Sequence, residues 1–318
     1  MNSIPSIFNE RQINRVVLGG KENPKEVKIN VCVVLLNKQS SQFRIGVLET
    51  LKASGFKRII SIETNKDNYN LEEYVNRFPT VKFIIPLEKV TEGELINIGI
   101  NEAESDYVLV LKDSLKIEKD ILTAGIAEKL ISKDQFCIAP RLLSPDCPSI
   151  PLSFKPSCNG NVFKIESGTS IFDGIETLYP FDSIGFYNKK KFIQLGGFDY
   201  TIQSSYWQNI DLSFRAWLWG EKISVSTIFS ASYVQSSPVE NTTCDISYSR
   251  FYLKNLLVRY DDDHGVIPKS SFLVYLLRSG CGLIESIKQF NDAVKWVHKN
   301  RYRFKIDSKF LVENWGKI

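Results

Sequence analysis

Residues 195–223 read LGGFDYTIQSSYWQNIDLSFRAWLWGEKI. Gly196-Gly197 closes a short helical run with a turn, and from about 206 to 219 apolar residues recur at helical spacing behind a polar, serine-bearing entrance. That entrance carries Trp207, Gln208, Asn209 and Asp211: an aromatic ring, two amides and one carboxylate. Chemistry at such a place usually calls for acids, so the amides need a reason.

Upstream of this stretch the chain keeps a regular rhythm. INVCVVLL (29–36) is a continuous apolar, β-branched run, the pattern of a parallel strand buried on both faces. SSQFRIGVLETLKASG follows as an amphipathic helix with a serine start and a glycine stop. FKRIISIE (56–63), VKFII (81–85) and DYVLVL (106–111) repeat the strand pattern, with NLEEYVNRF and TEGELINIGINEAES as the intervening helices. This alternation predicts βαβ units, hence an α/β fold with a mostly parallel sheet flanked by helices. After the helix EKDILTAGIAEKLI, residues 135–187 turn richer in Pro, Ser, Gly and Asn, which predicts mixed or antiparallel strands. KISVST returns as a strand, and from about 245 onward the chain reads as helical. The expected organisation is an N-terminal extension over 1–27, an α/β domain over 28–240 and a helical C-terminal region over 241–318.

Composition is that of a globular protein: 43% hydrophobic, 24% charged and a net charge of +4, too small to point to nucleic acid. The six cysteines are scattered, with no C-x-x-C pair and no nearby His, which argues against structural zinc. The start MNSIPSIFNERQINRVV has no basic-then-apolar signal pattern, and no apolar run reaches the roughly 20 residues of a membrane span. A cytoplasmic protein with reduced thiols is the expectation, at most peripheral to the inner face of the membrane.

In open parallel sheets ligands bind beyond the carboxyl ends of the strands. Those positions are Asn37, Glu63 and Lys112-Asp113-Ser114. No G-x-G-x-x-G follows the first strand and no P-loop occurs, so neither a dinucleotide fold nor a P-loop enzyme is expected. Glu63 has the chemistry to accept hydrogen bonds from a ribose or base edge; a solvated loop acid is the alternative.

The order and spacing of these elements resemble the GT-A fold of family-two glycosyltransferases, which move a sugar from a nucleotide diphosphate to an acceptor. GELINIGINEAESDYVLVLKDSLKIEKDIL (93–122) is similar to that family's helix, strand, metal loop and following helix. FDSIGFYNKKKFIQLGGFDYTIQSSYWQNIDLSFRAWLWGEKI is similar to its acceptor-side segment, with GGFD and DLSFRAWLWG at the family's spacing. The resemblance covers about residues 29–235. It implies a nucleotide-sugar donor bound around Asn37, Glu63, Lys112, Asp113 and Ser114, and a glycan or lipid-linked acceptor near Trp207.

The resemblance also locates departures. The family's D-x-D acids hold Mg²⁺ or Mn²⁺ against the diphosphate; here those positions are Lys112, Asp113 and Ser114. The family's metal-associated His falls in STIFSASYVQSSP, which carries Gln235 and no His. Metal binding in the family's manner is therefore not expected. The family's E-D-x-D places a general base at its second acid. Here Gln208, Asn209, Ile210 and Asp211 stand there, and an amide cannot take a proton. Asp211 survives, with Arg215 four residues on, a spacing that suits a helix ion pair better than a catalytic dyad.

Two readings follow. One is a metal-independent transferase in which Lys112 supplies the positive charge and Asp113 or Asp211 is the base. The other is a pseudo-enzyme that binds a nucleotide, a glycan or a protein. A sugar-nucleotide-forming nucleotidyltransferase would carry a Gly-rich basic loop after strand one, and LLNKQSSQF has none. YDDDHG (260–265) reads as a solvated helix terminus and loop rather than a metal site, since adjacent side chains diverge. The tail IKQFNDAVKWVHKNRYRFKIDSKF mixes cations with apolar residues at helical spacing: a peripheral membrane contact is one reading, and packing on the main domain the other.

Overall fold

The structure, a computed structural model, describes residues 4–22, 27–37, 44–64, 71–146, 150–159, 162–168, 170 and 172–317. A nine-stranded sheet organises them. Its strands are β1 (Arg15–Gly19), β2 (Ile29–Asn37), β3 (Phe56–Glu63), β4 (Lys82–Pro86), β5 (Tyr107–Lys112), β6 (Leu115–Lys116), β7 (Cys137–Leu143), β10 (Gly185–Asn188) and β11 (Ile223–Tyr233). The order across the sheet is β1-β4-β3-β2-β5-β10-β7-β11-β6. β4, β3, β2 and β5 run parallel; β10 is inserted antiparallel between β5 and β7, and β7 pairs parallel with β11. The reversal at β10 is the mixed pairing expected from residues 135–187. β8 (Ser153–Asn159) and β9 (Val162–Gly168) form a separate antiparallel hairpin.

The apolar strands are buried as their composition requires: Val31 through Leu36 and Val108 through Leu111 are 0–1% exposed. Helices α1 (Arg44–Ser54), α2 (Leu71–Arg77), α3 (Glu92–Glu102) and α4 (Ala124–Ser132) connect the first strands. α5 (Lys189–Gln194) leads through the Gly196-Gly197 turn into α6 (Ser205–Leu218). Gly197 has φ +67°, and a Cβ there would lie 2.6 Å from Asn97 Oδ1, so both the turn and its close approach to α3 need glycine.

α6 starts where Ser204 caps it by accepting from the Trp207 amide. Every residue from Tyr206 to Leu218 is buried, polar ones included, because α3 packs on one side and α7 (Ile246–Phe251) with the π-turn Tyr252–Leu256 on the other. The remaining elements are a hairpin of β12 (Arg259–Asp261) and β13 (His264–Val266), then α8 (Ser271–Arg278), α9 (Leu283–Asn300) and α10 (Ser308–Glu313).

Two local expectations change, and one of the two readings of the tail is met. The polar stretch over 1–27 contributes edge strand β1, whose Val16-Val17-Leu18 pairs with β4, and Trp296 Nε1 of α9 donates to the Pro5 carbonyl. YDDDHG is the tip of the β12–β13 hairpin, not a helix terminus: Asp261 pairs with His264, and Asp262 takes φ 50° in the turn. In the tail, Phe290, Ala293, Trp296 and Val297 of α9 are buried, the packing role weighed for that segment. Among the described residues no helix is long and apolar enough to cross a membrane, and the five described cysteines form no disulfide; Cys147 lies outside them.

Candidate functional site

The carboxyl edge of the parallel strands brings the expected donor-side residues together. Register places Asn37 opposite Glu63 and Leu36 opposite Lys112. Asn37 Nδ2 donates to Ser61 Oγ at 2.5 Å and to Glu63 Oε1 at 3.2 Å, and Ser61 Oγ donates to the same oxygen at 2.7 Å. Asn37 and Glu63 are 3% and 1% exposed, so they form a buried polar floor rather than solvated loop ends. Asp113 is half-buried and its amide donates to the Leu36 carbonyl at 3.0 Å; Ser114 is exposed.

Lys112 closes β5. Its Nζ lies 2.6 Å from Glu92 Oε1, in the first turn of α3, and 2.5 Å from Asp182 Oδ1. Burial works to lower its pKa, but the charges of Glu92 and Asp182 outweigh that and hold it above the ordinary value. Lys112 is a permanent cation in a nearly closed setting.

Asp182 and Ser183 have φ 56° and 58°, two successive non-glycine residues in the left-handed region, which costs roughly 1–2 kcal/mol each. The strained turn carries the Asp182 carboxylate between Lys112 and Tyr233, whose hydroxyl donates at 3.1 Å. Beside it stands Glu240, on the chain that follows β11. It accepts from Tyr179 Oη at 2.6 Å and from the Asp182 amide. Burial pushes its carboxyl up; the Tyr179 bond opposes that, the Asp182 charge adds to it, and the Asp182 amide and Lys112 pull down, leaving it at about 7.

On α6 the two amides brace backbone. Gln208 Oε1 accepts from the Gly93 amide at 3.0 Å, and its Nε2 donates to Thr91 Oγ1 at 2.8 Å and to the Asp199 carbonyl at 3.0 Å. A Cβ on Gly93 would lie 2.9 Å from that Gln208 oxygen, so the two helices meet as closely as glycine allows. Asn209 Nδ2 donates to the Pro180 carbonyl at 2.7 Å, at the foot of the strained turn.

Asp211 points away from any opening. It is 0% exposed, and it accepts from Arg215 Nη1 at 2.6 Å, Lys254 Nζ at 2.8 Å and Asn255 Nδ2 at 2.8 Å. Lys254 also binds Asp199 at 2.8 Å, and the carboxyl of Asp199 is held below its usual range: burial raises it, and the Lys254 charge prevails. Trp207 is 4% exposed, donates from Nε1 to the Thr243 carbonyl at 2.8 Å and stacks on Phe251 at 5.4 Å. Its ring is packed in the core instead of facing a cleft.

Sequence reasoning missed Glu92, Tyr179, Asp182, Tyr233 and Glu240. They reach one place from four segments: the start of α3, the turn that holds Tyr179 and Asp182, the end of β11 and the chain after it. The residues at 112–114 do not suit a divalent cation: Lys112 is an ammonium, and the carboxylates beside it, Glu92 and Asp182, are spent on it. Among the described residues no group of three or more His, Cys, Asp or Glu is arranged to hold a metal ion.

No known protein family and no curated protein matches the sequence. Solved structures do match the fold. GalNAc-T7, solved with UDP, GalNAc and Mn²⁺, superposes with a TM-score of 0.61 at 14% identity; the match covers 94% of this chain and 60% of that one. TarS 1–349 from S. aureus, in complex with UDP-GlcNAc, gives a TM-score of 0.52 at 12% identity over 84% of this chain and 72% of that one. The chain thus spans 60% of the GalNAc-T7 chain it matches. Its α/β architecture is that of the GT-A glycosyltransferases.

Proposed function

We propose that this chain transfers a sugar from a nucleotide-sugar donor to a glycan or lipid-linked acceptor, with Lys112 in place of the divalent cation. The observation that carries the reading is the placement of Lys112. A buried, permanently charged ammonium ends the strand after which this fold class holds its diphosphate-neutralising metal.

In the reaction the acceptor hydroxyl oxygen bonds to the anomeric carbon, and the bond from that carbon to the diphosphate oxygen breaks. The electron pair leaves with the diphosphate, whose charge Lys112 offsets, and the hydroxyl proton passes to a carboxylate. Asp182 holds the ammonium in the free protein, so the diphosphate takes its place and the strained turn gives way. Asn37 and Glu63 lie beneath the donor, with Asp113 and Ser114 at its exposed side. For the proton, Glu240 is better suited than Asp211: its carboxyl stands at about 7, whereas Asp211 is enclosed by two cations.

A second reading keeps one observation of its own. Gln208 and Asn209 occupy the family's acidic seats and are committed to backbone groups, which suits a protein that binds a nucleotide or glycan without turnover.

Calorimetric titration with UDP-, GDP- and dTDP-sugars, in EDTA and in Mn²⁺, tests both readings. Metal-independent binding is expected, weakened in Lys112→Ala. Asp182→Asn removes the competing carboxylate and should bind about tenfold tighter, the equivalent of one charged contact. No binding to any nucleotide overturns the transferase reading. Binding without release of nucleoside diphosphate, in wild type and with acceptor mixtures, leaves the second.

A further inference from the structure

We propose that the α8–α9 hairpin rests on an anionic lipid bilayer surface, a docking role independent of whether the chain transfers sugar. The two helices hold each other through their inner sides. Phe272 meets Phe290 at 5.3 Å, Tyr275 donates to Gln289 Oε1, and the hydroxyls of Ser279 and Ser286 lie 3.0 Å apart.

Their outer sides carry large aliphatic residues into solvent. Leu277 is 87% exposed, Ile284 84% and Leu273 66%, with Val274, Leu283 and Ile287 exposed beside them. The spacing of 273, 274 and 277 on α8, and of 283, 284 and 287 on α9, puts each trio on one face. Isolated exposed aliphatic residues need no explanation, but six on one hairpin make an unusually apolar surface.

Charge selects the occupant. Lys269, Arg278 and Lys288 are exposed within the same span, and its one acid, Glu285, is half-buried and bonded to Gln289 Nε2 at 3.0 Å. Further along α9, Lys295 and Lys299 are exposed and the acid Asp292 is half-buried, so cations still outnumber acids on the hairpin. A second copy docked through the same surface would bring these cations together; anionic headgroups neutralise them while the aliphatic side chains enter the acyl boundary. α8 has 8 residues, so the hairpin lies in the interface and does not span it.

Sedimentation of the full chain with sucrose-loaded phosphatidylcholine vesicles, with and without phosphatidylglycerol, tests the assignment. The chain should pellet with the anionic vesicles and be released by high salt. Leu277→Ser with Ile284→Ser should weaken partitioning about tenfold or more, from the apolar area removed. Both positions are exposed, so an unchanged thermal transition in that variant keeps folding out of the comparison. Failure to pellet with anionic vesicles, or equal pelleting with neutral ones, overturns the proposal. So does a dimer seen by light scattering that the same double substitution dissolves, which would give the surface to a second copy.

Discussion

Asp211→Asn separates a structural carboxylate from a catalytic one. In the native chain Asp211 Oδ2 receives both Arg215 Nη1 and Lys254 Nζ, while Oδ1 receives Asn255 Nδ2. An amide of the same size cannot reproduce this. If its oxygen faces the two cations, its NH₂ meets the NH₂ of Asn255; if it is flipped, the NH₂ meets an ammonium and a guanidinium. With Asn255 Nδ2 kept on the Phe251 carbonyl at 3.2 Å, donor faces donor either way, and the negative charge that offsets two buried cations is gone. Lys254 retains Asp199 and Arg215 retains the Gly197 carbonyl at 2.6 Å, which limits the damage. Breaking a buried ion pair by removing one partner costs about 3–5 kcal/mol. That is a large share of the roughly 5–15 kcal/mol by which domains are stable. Equilibrium denaturation in urea at neutral pH measures it. A loss below about 1 kcal/mol, no more than one ordinary hydrogen bond, would refute the network as described. A variant that kept its stability and lost sugar transfer would return Asp211 to the reaction.

Three other outcomes follow from the same geometry. Gln208→Glu should lower stability by about 1–3 kcal/mol, because a carboxylate oxygen would face the Asp199 carbonyl where Nε2 now donates; denaturation midpoints equal to wild type would contradict this. Glu240 titrates at about 7 folded and 4.5 unfolded, so the folded chain binds more protons between those values and stability falls as pH rises through them. The loss is on the order of 3 kcal/mol, and Glu240→Gln should flatten it; a wild-type stability constant from pH 4.5 to pH 7 would sink the assignment. If transfer is detected, Glu240→Gln should depress turnover with little change in donor affinity, and an unchanged pH profile would remove Glu240 from the proton step.

The sequence by itself determined the parallel part of the sheet, β2 to β5. Continuous apolar runs such as INVCVVLL and DYVLVL are long enough, and β-branched enough, to read as buried parallel strands, and the glycine turn before the polar entrance of α6 is local chemistry. It also says that Lys112 cannot ligate a cation and that Gln208 and Asn209 cannot take a proton, since residue type alone decides both. The residues around Lys112 were not legible. Glu92, Asp182 and Glu240 stand 20, 70 and 128 residues from it along the chain, and side chains so separated signal nothing to one another until β10 folds back beside β5 and β11 carries the chain to Glu240. Trp207 and Asp211 were ambiguous for the converse reason. A polar helix entrance looks the same whether it meets solvent or another helix, and only the packing of α7 and the π-turn over α6 put both inside. The amides of Gln208 and Asn209 take their meaning there too: in a buried helix beside α3 and the Pro180 turn, each donates an N–H to a backbone carbonyl, and a carboxylate has none to give.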